Sequence, residues 1–256
     1  MGSKHAINLL FSKFNIIYFL IVASVCLGDD AYICSRATFY GSPDCLGNPR
    51  GACGFGEYGR TVNNGVVSGV SRLYKNGSGC GACYQVRCTI PGLCSGVGTK
   101  VIVTDYGEGH YTDFIISVTG YASLAASPST AAELFAYGVV DVEYRRVPCV
   151  HVGYNLMLKV HEKSSWPSYL AILPMYVSGV YDIIGVQVWV QECKEWRGMR
   201  KVYGAVWDME NPPIAVTNVR LQVVMSEGQV VKLVEMPNVI PTYWKPGVVY
   251  DTGFQL

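Results

Sequence analysis

The sequence is short of charge, of histidine and of long hydrophobic runs. Only 15% of its 256 residues are Asp, Glu, Lys or Arg, against 50% hydrophobic, which excludes an intrinsically disordered chain. The two signs nearly cancel, 20 against 19, so no basic excess exists to neutralise phosphates and nucleic acid is not an expected partner. Phe14 to Leu27 is the one long apolar run. At 14 residues it falls short of the ~20 that span a bilayer. Internal repeats and low-complexity tracts are absent. Of the four histidines, His110, His151 and His161 lie beyond that run, and none stands in a recognisable site. Long helical patterns are scarce, whereas 18 Tyr and 28 Gly favour β structure with many turns.

Lys4 and Lys13 precede the apolar run, and the small residues Ala23, Ser24 and Gly28 offer cleavage sites. This is the pattern of a signal peptide over residues 1–28, cut after Gly28. An uncleaved single-pass anchor is the alternative, disfavoured by length. Cleavage removes Cys26 and takes the net charge from +1 to −1. Eight of the other nine cysteines fall between residues 34 and 149, which in a secreted chain reads as a disulfide framework. Zinc is the competing reading, because Cys80-x2-Cys83 with Cys88 and Cys94 has ligand-like spacing. An oxidising compartment and Gly-rich surroundings favour disulfides, so no metal and no cofactor is expected. Nine is odd, and Cys193, alone in the second half, is the expected free thiol.

Cysteine density and composition both change at Cys149. The expected organisation is a domain over 32–149, a linker over 150–154 and a second domain over 155–256. In the first, strands are expected at Ala37–Tyr40, Cys83–Cys88, Lys100–Asp105, Asp113–Thr119 and Val139–Val147, with helical segments at Tyr121–Ala126 and near Ala131–Tyr137. That density of short strands suggests a small barrel. In the second, strands are expected at Asn155–His161, Tyr169–Val177, Ile183–Glu192, Val202–Met209, Val219–Val224 and Val230–Val234, which fits a β-sandwich. Gly54-Phe-Gly-Glu-Tyr-Gly59 mimics a dinucleotide fingerprint but lacks the strand before it and the helix after it, so its glycines are assigned to turns. Asn76-Gly-Ser78 is the one N-glycosylation sequon.

Five ordered motifs are more specific: Thr38-Phe-Tyr-Gly41, Gly51-Ala-Cys-Gly-Phe-Gly56, Cys80-Gly-Ala-Cys-Tyr84, Val103-Thr-Asp105 and Val142-Glu-Tyr-Arg-Arg-Val-Pro-Cys149. With Gly204-Ala-Val-Trp207 and Val249-Tyr-Asp-Thr-Gly253 downstream, the chain resembles the expansin superfamily across nearly its whole mature length. The resemblance implies an all-β protein, a six-stranded double-psi β-barrel followed by an immunoglobulin-like, carbohydrate-binding β-sandwich, secreted to the plant cell wall. It also implies the pairs Cys53–Cys80, Cys83–Cys149 and Cys88–Cys94. Cys34 and Cys45 are extra and could pair with each other.

The barrel also resembles family-45 endoglucanases, in which two carboxylates ~6.5–9.5 Å apart serve as acid and base. The base position is here Ser42. Most expansins keep the acid as the Asp of a His-Phe-Asp tripeptide, but this chain reads Thr112-Asp-Phe-Ile-Ile-Ser117, with Ile115 at the Asp position. That loss points to the expansin-like branch, most like its B group, and to no catalytic residue. Asp113 lies two residues before Ile115 on the same strand face, about 6.6 Å back, and could replace the acid by a one-step shift. Asp105 matches the family's other groove Asp, with a structural carboxylate as the rival reading. Thr38 and Tyr40 match groove residues that contact glucan, or else pack the barrel.

In the second domain Tyr169 and Tyr203 match positions of an aromatic platform, and Trp166 is near enough in sequence to extend it; aromatic planes take the C–H faces of sugars. Trp189, Trp196 and Trp207 are assigned to the core. The leading expectation is a monomeric, non-hydrolytic wall protein that binds cellulose, xyloglucan or another hemicellulose and loosens or remodels the wall, with no membrane association after signal cleavage. A pure polysaccharide-binding protein without loosening and, further back, an endoglucanase stand as alternatives.

Overall fold

The computed structural model describes residues 32–41, 51–109, 112–225 and 231–256. The expected signal segment with Cys26, and also Ser42, Cys45 and His110, lie outside the described residues. Six strands form the first unit: β1 (Ile33–Phe39), β2 (Val67–Val70), β3 (Cys83–Cys88), β4 (Thr99–Tyr106), β5 (Phe114–Ile116) and β6 (Val140–Val147). They close into a barrel in the order β1-β5-β2-β4-β3-β6. β1 runs parallel to β5 and β2 parallel to β4, while the other neighbours are antiparallel. Val70, Val86, Val101, Val103, Phe114 and Ile116 fill the interior. β2 is buried at every position, the mark of a strand covered on both faces.

Three short helices accompany the barrel: α1 (Tyr58–Thr61), α2 (Val118–Ala122) and α3 (Pro128–Tyr137). The Ser127 hydroxyl caps α3 by accepting from the Thr130 N–H, and Thr130 Oγ1 accepts from the Ser127 N–H in return. Pro128 at the first helical position has no N–H to leave unsatisfied, so α3 begins three residues before the expected start. The strand expected over Asp113–Thr119 stops at Ile116 because Ser117 accepts from Gly120 N and caps α2, which is why that helix also starts earlier.

Nine strands make the second unit: β7 (Met157–Val160), β8 (Tyr169–Met175), β9 (Tyr181–Val190), β10 (Glu195–Gly198), β11 (Arg200–Tyr203), β12 (Val206–Glu210), β13 (Thr217–Met225), β14 (Val231–Ile240) and β15 (Val249–Asp251). One sheet has the order β10-β9-β13-β14 and the other β11-β12-β8-β7-β15. Their inner faces share Leu158, Leu170, Ile172, Val186, Val188, Trp207, Val219, Leu221 and Met236. The stretch expected as one strand over Val202–Met209 is a hairpin, since Gly204 at φ +49° turns the chain between β11 and β12.

Trp189 and Trp196 are not core. Val186, Val188 and Val190 point inward along β9, so Trp189 shares the outer face with Gln187 and is half-buried. Its ring meets Trp196 at 5.5 Å, and Arg220 lies 4.4 Å over Trp196. Trp207 is buried as expected.

Disulfides join Cys53 to Cys80, Cys83 to Cys149 and Cys88 to Cys94. Cys34 is also disulfide-bonded, and Cys193 is a free, exposed thiol. Among the described residues no group of His, Cys, Asp and Glu could hold a metal, and no helix is long and apolar enough to cross a membrane.

The barrel packs on the outer face of the five-stranded sheet. Ala171, Leu173, Met175 and Val206 belong to the barrel's apolar cluster, not to the sandwich interior. Tyr58 and Tyr176 meet edge to face at 4.7 Å, and the Tyr176 N–H donates to the Tyr58 hydroxyl. Asp182, 3% exposed, accepts from Lys75 at 2.8 Å and from Arg146 at 3.2 Å.

Candidate functional site

Asp105 lies near the C-terminal end of β4, where the barrel opens. Its Oδ1 accepts from the Ala52 N–H at 2.6 Å and the Tyr106 N–H at 2.8 Å, and its Oδ2 accepts from the Tyr40 hydroxyl at 3.3 Å. Tyr40 reaches this position over Gly69, where a Cβ would lie 2.6 Å from the phenol oxygen. Burial raises the Asp105 pKa, opposed by the Ala52 and Tyr40 hydrogen bonds. Burial, and the Asp105 charge next, push the Tyr40 phenol far above its ordinary value.

Tyr74 stands beside this pair, donating to the Ala52 carbonyl at 3.0 Å and packing 5.2 Å from the Tyr106 ring. Asp105 and Tyr203 are both near enough to act on its titration. Tyr74 and Tyr106 wall an open depression of about 540 Å³, completed by Arg72, Asn76 and Glu108. A second depression, lined by Ser35, Thr112 and Asp113, shares Ser71, Arg72 and Gly109 with the first. The two form one groove across the barrel, crossed by Arg72.

Asp113 is placed differently from a free groove acid. Its oxygens accept from Ser35 at 2.7 Å, from Ser71 at 2.9 Å and from Arg72, whose terminal nitrogen lies 2.7 Å away. The carboxylate is charge-paired and its lone pairs are taken, so it fixes Arg72 in the groove floor. The hydrogen bond to Asp113 holds the Arg72 pKa above its ordinary value. Ile115 turns to Gly107 and contributes no polar atom. Thr38 donates its hydroxyl to the Gly138 carbonyl at 2.8 Å, tying β1 to the end of α3; like Tyr40 and Asp105, it is not among the residues lining either depression.

On the sandwich, Tyr169 alternates along β8 with Ala171, Leu173 and Met175, so it lies on the barrel-facing side of the sheet. Its hydroxyl donates to Asp208 at 2.8 Å, and Arg200 clamps the same carboxylate with bonds of 3.0 and 2.9 Å. That clamp, chiefly, holds the Asp208 pKa below the usual carboxylate range. Tyr203, 43% exposed, lies against Gly54 of the barrel and is held by His161 Nε2 at 3.0 Å. Because His161 Nδ1 accepts from the Lys163 N–H, Nε2 carries the proton and donates to Tyr203.

Trp166 is exposed at the tip of a turn closed by Ser165 and Tyr169. Its Nε1 donates to the Thr242 carbonyl at 3.0 Å and its ring stands 5.5 Å from Tyr243, which is 73% exposed. The structure thus joins Tyr40 with Asp105 and sets Tyr203 at the junction, while Trp166 pairs with a residue that sequence reasoning missed. Tyr74, Tyr106 and His161 were missed too. Tyr106 adjoins Asp105 in sequence, the one signal that could have found it.

Residues 156–241 match the family model described as the Expansin C-terminal domain. The chain is 52% identical to Expansin-like B1 of Arabidopsis thaliana, with 100% of both chains covered. It is 36% identical to Expansin-like B1 of Oryza sativa subsp. japonica, covering 94% of each, and 34% identical to Expansin-like A3 of Arabidopsis thaliana, covering 94% of this chain and 91% of the relative. Among solved structures, an expansin of Clavibacter michiganensis superposes with a TM-score of 0.64 at 18% identity, over 88% of this chain and 97% of that one. A point variant of the same bacterial expansin, solved in complex with cellohexaose, superposes with a TM-score of 0.63.

Proposed function

This chain belongs to the expansin superfamily, in its expansin-like branch, and we propose that it is a secreted plant wall protein that binds wall polysaccharide without cutting it. The observation that carries this reading is one run of ring faces and polar groups. It passes from Tyr106 and Tyr74 through Asp105 to Tyr203, and so from the barrel groove onto the sandwich sheet. Tyrosine faces take the C–H faces of a β-linked sugar, while Arg72 and Glu108, which line the depression, meet its hydroxyls. Binding of cellohexaose by a bacterial expansin of the same fold supports a β-glucan as one ligand class. Held by the groove at one end and by Tyr169 and Tyr203 at the other, a chain would be drawn away from its neighbours, a route to loosening that needs no bond cleavage.

The test is retention on insoluble cellulose and on whole wall. Tyr203→Ala with Tyr169→Ala should lower retention, while Tyr169→Phe, which keeps the ring and loses only the bond to Asp208, should not. Unchanged retention by a folded double variant removes the platform. Creep of heat-killed wall strips then separates loosening from pure binding.

A further inference from the structure

We propose that Asn76 carries an N-linked glycan that acts as a tethered competitor for the barrel groove, so that glycan occupancy sets how much polysaccharide the groove can take. The inference rests on the groove reading above. Asn76-Gly77-Ser78 is the sequon, and Asn76 is exposed at the rim of the depression formed by Tyr74, Tyr106 and Glu108. Among the described residues its amide takes part in no hydrogen bond.

The chain on either side is pinned to the sandwich. Lys75 binds Asp182, and Gly77 is buried against Gly204, so close that a Cβ on Gly77 would meet Gly204 Cα at 2.6 Å. The root of the glycan therefore cannot swing to another face of the molecule. Its attachment replaces one Nδ2 proton. Nδ2 attacks the anomeric carbon of a lipid-linked oligosaccharide diphosphate, the carbon–oxygen bond to phosphate breaks, the proton is lost and the lipid diphosphate leaves.

The first sugar of such a glycan is a β-linked N-acetylglucosamine, with the same apolar ring face as the glucan that the groove would bind. Tyr106, 43% exposed, offers its ring beside the attachment point. A ligand on a short flexible tether reaches an effective concentration of order mM, enough to compete with a weakly held free sugar chain.

The experiment uses the full chain secreted from a eukaryotic host, with intact mass and cellohexaose calorimetry as readouts. Ser78→Thr keeps the sequon and Ser78→Ala destroys it; wild type treated with peptide N-glycosidase, which removes the glycan and leaves Asp in place of Asn76, is a second glycan-free form should Ser78→Ala fold poorly. A glycan mass on wild type and on Ser78→Thr is expected, with cellohexaose bound severalfold more tightly by the bare forms. That gain should vanish in a Tyr74→Ala background, and retention on insoluble cellulose through the sandwich should not change. A secreted wild type with bare Asn76 overturns the proposal. Equal affinity of bare and glycosylated forms, both weakened by Tyr74→Ala, overturns it and leaves the groove reading standing. Affinities that ignore Tyr74→Ala altogether bring down both.

Discussion

Gly77 of the barrel and Gly204 of the β11–β12 turn meet backbone to backbone, at φ +86° and +49° respectively. A Cβ on Gly77 would fall 2.6 Å from Gly204 Cα, and one on Gly204 would fall 2.6 Å from Cys53 Cα. No side chain can move aside, because the neighbours are main-chain atoms. Gly77→Ala or Gly204→Ala should each cost about 1–3 kcal/mol from the positive φ alone, with the clash adding to it. The predicted result in urea denaturation is a lower midpoint, and loss of cooperativity if barrel and sandwich then part. A midpoint within error of wild type would show that the junction yields freely.

The second prediction concerns Asp182, which joins Lys75 and Arg146 across the same junction at 3% exposure. Among the described residues Nε and Nη1 of Arg146 have no hydrogen-bond partner, so Asp182 supplies the charge that compensates this cation. Asp182→Asn keeps the volume and removes the charge. Breaking a buried pair from one side costs on the order of 3–5 kcal/mol, well above the 0–1 kcal/mol of a surface pair. Chemical denaturation at neutral pH measures it, and a loss below about 1 kcal/mol would place Arg146 in contact with water.

His161 makes the third, through pH. Burial, chiefly, lowers its pKa below the ordinary 6.5, opposed by Glu162. The folded state therefore binds a proton less readily than the unfolded chain. Stability from this group is fully present above about 6.5 and is lost as pH falls through the folded pKa. Protonation also removes the acceptor that the Lys163 N–H uses. Melting temperature should fall between pH 7 and 5, and His161→Gln should reduce that fall without abolishing it. His151, also lowered by burial, contributes a slope of the same sign. An unchanged slope in the variant would count against this account of His161.

These elements differ in how far the sequence announced them. Strands with strict alternation were legible: β9 and β13 bury every second residue along most of their length, and the expected ranges fall within two residues of the observed ones at every end. β2 was not, because Val67-Ser-Gly-Val70 is buried on both faces and shows no period. Trp189 was misassigned although Gln187-Val-Trp-Val-Gln191 already put it on the face opposite Val188. Residue type outweighed periodicity there, and periodicity was the better guide. Within the site, the Tyr40–Asp105 pair came from motifs. Tyr74 and Tyr243 reach their partners only through the fold, since Tyr74 lies 32 positions from Tyr106 and Tyr243 lies 77 from Trp166, with nothing local to mark either.

The last prediction concerns bond cleavage and follows from where the carboxylates are. Inverting hydrolysis needs an acid and a base ~6.5–9.5 Å apart, one protonated and one ionised, on opposite sides of the scissile bond. Asp113 has its oxygens taken by Arg72 and by two serine hydroxyls, which leaves no free lone pair to activate a water. Asp105, with its pKa raised by burial, could serve as an acid, but Ile115 faces it across β2 where a partner carboxylate would be needed. The wild type should therefore release no reducing sugar from soluble or crystalline β-glucan. Ile115→Asp alone should stay inactive, since it adds one carboxylate without its complement. Joint Ser42→Asp and Ile115→Asp substitution supplies both positions, though Gly107 and the β2 backbone would still have to hold the new acid in place. Steady depolymerisation by pure wild-type protein, lost in Asp105→Asn, would make this chain an enzyme and sink the non-hydrolytic reading.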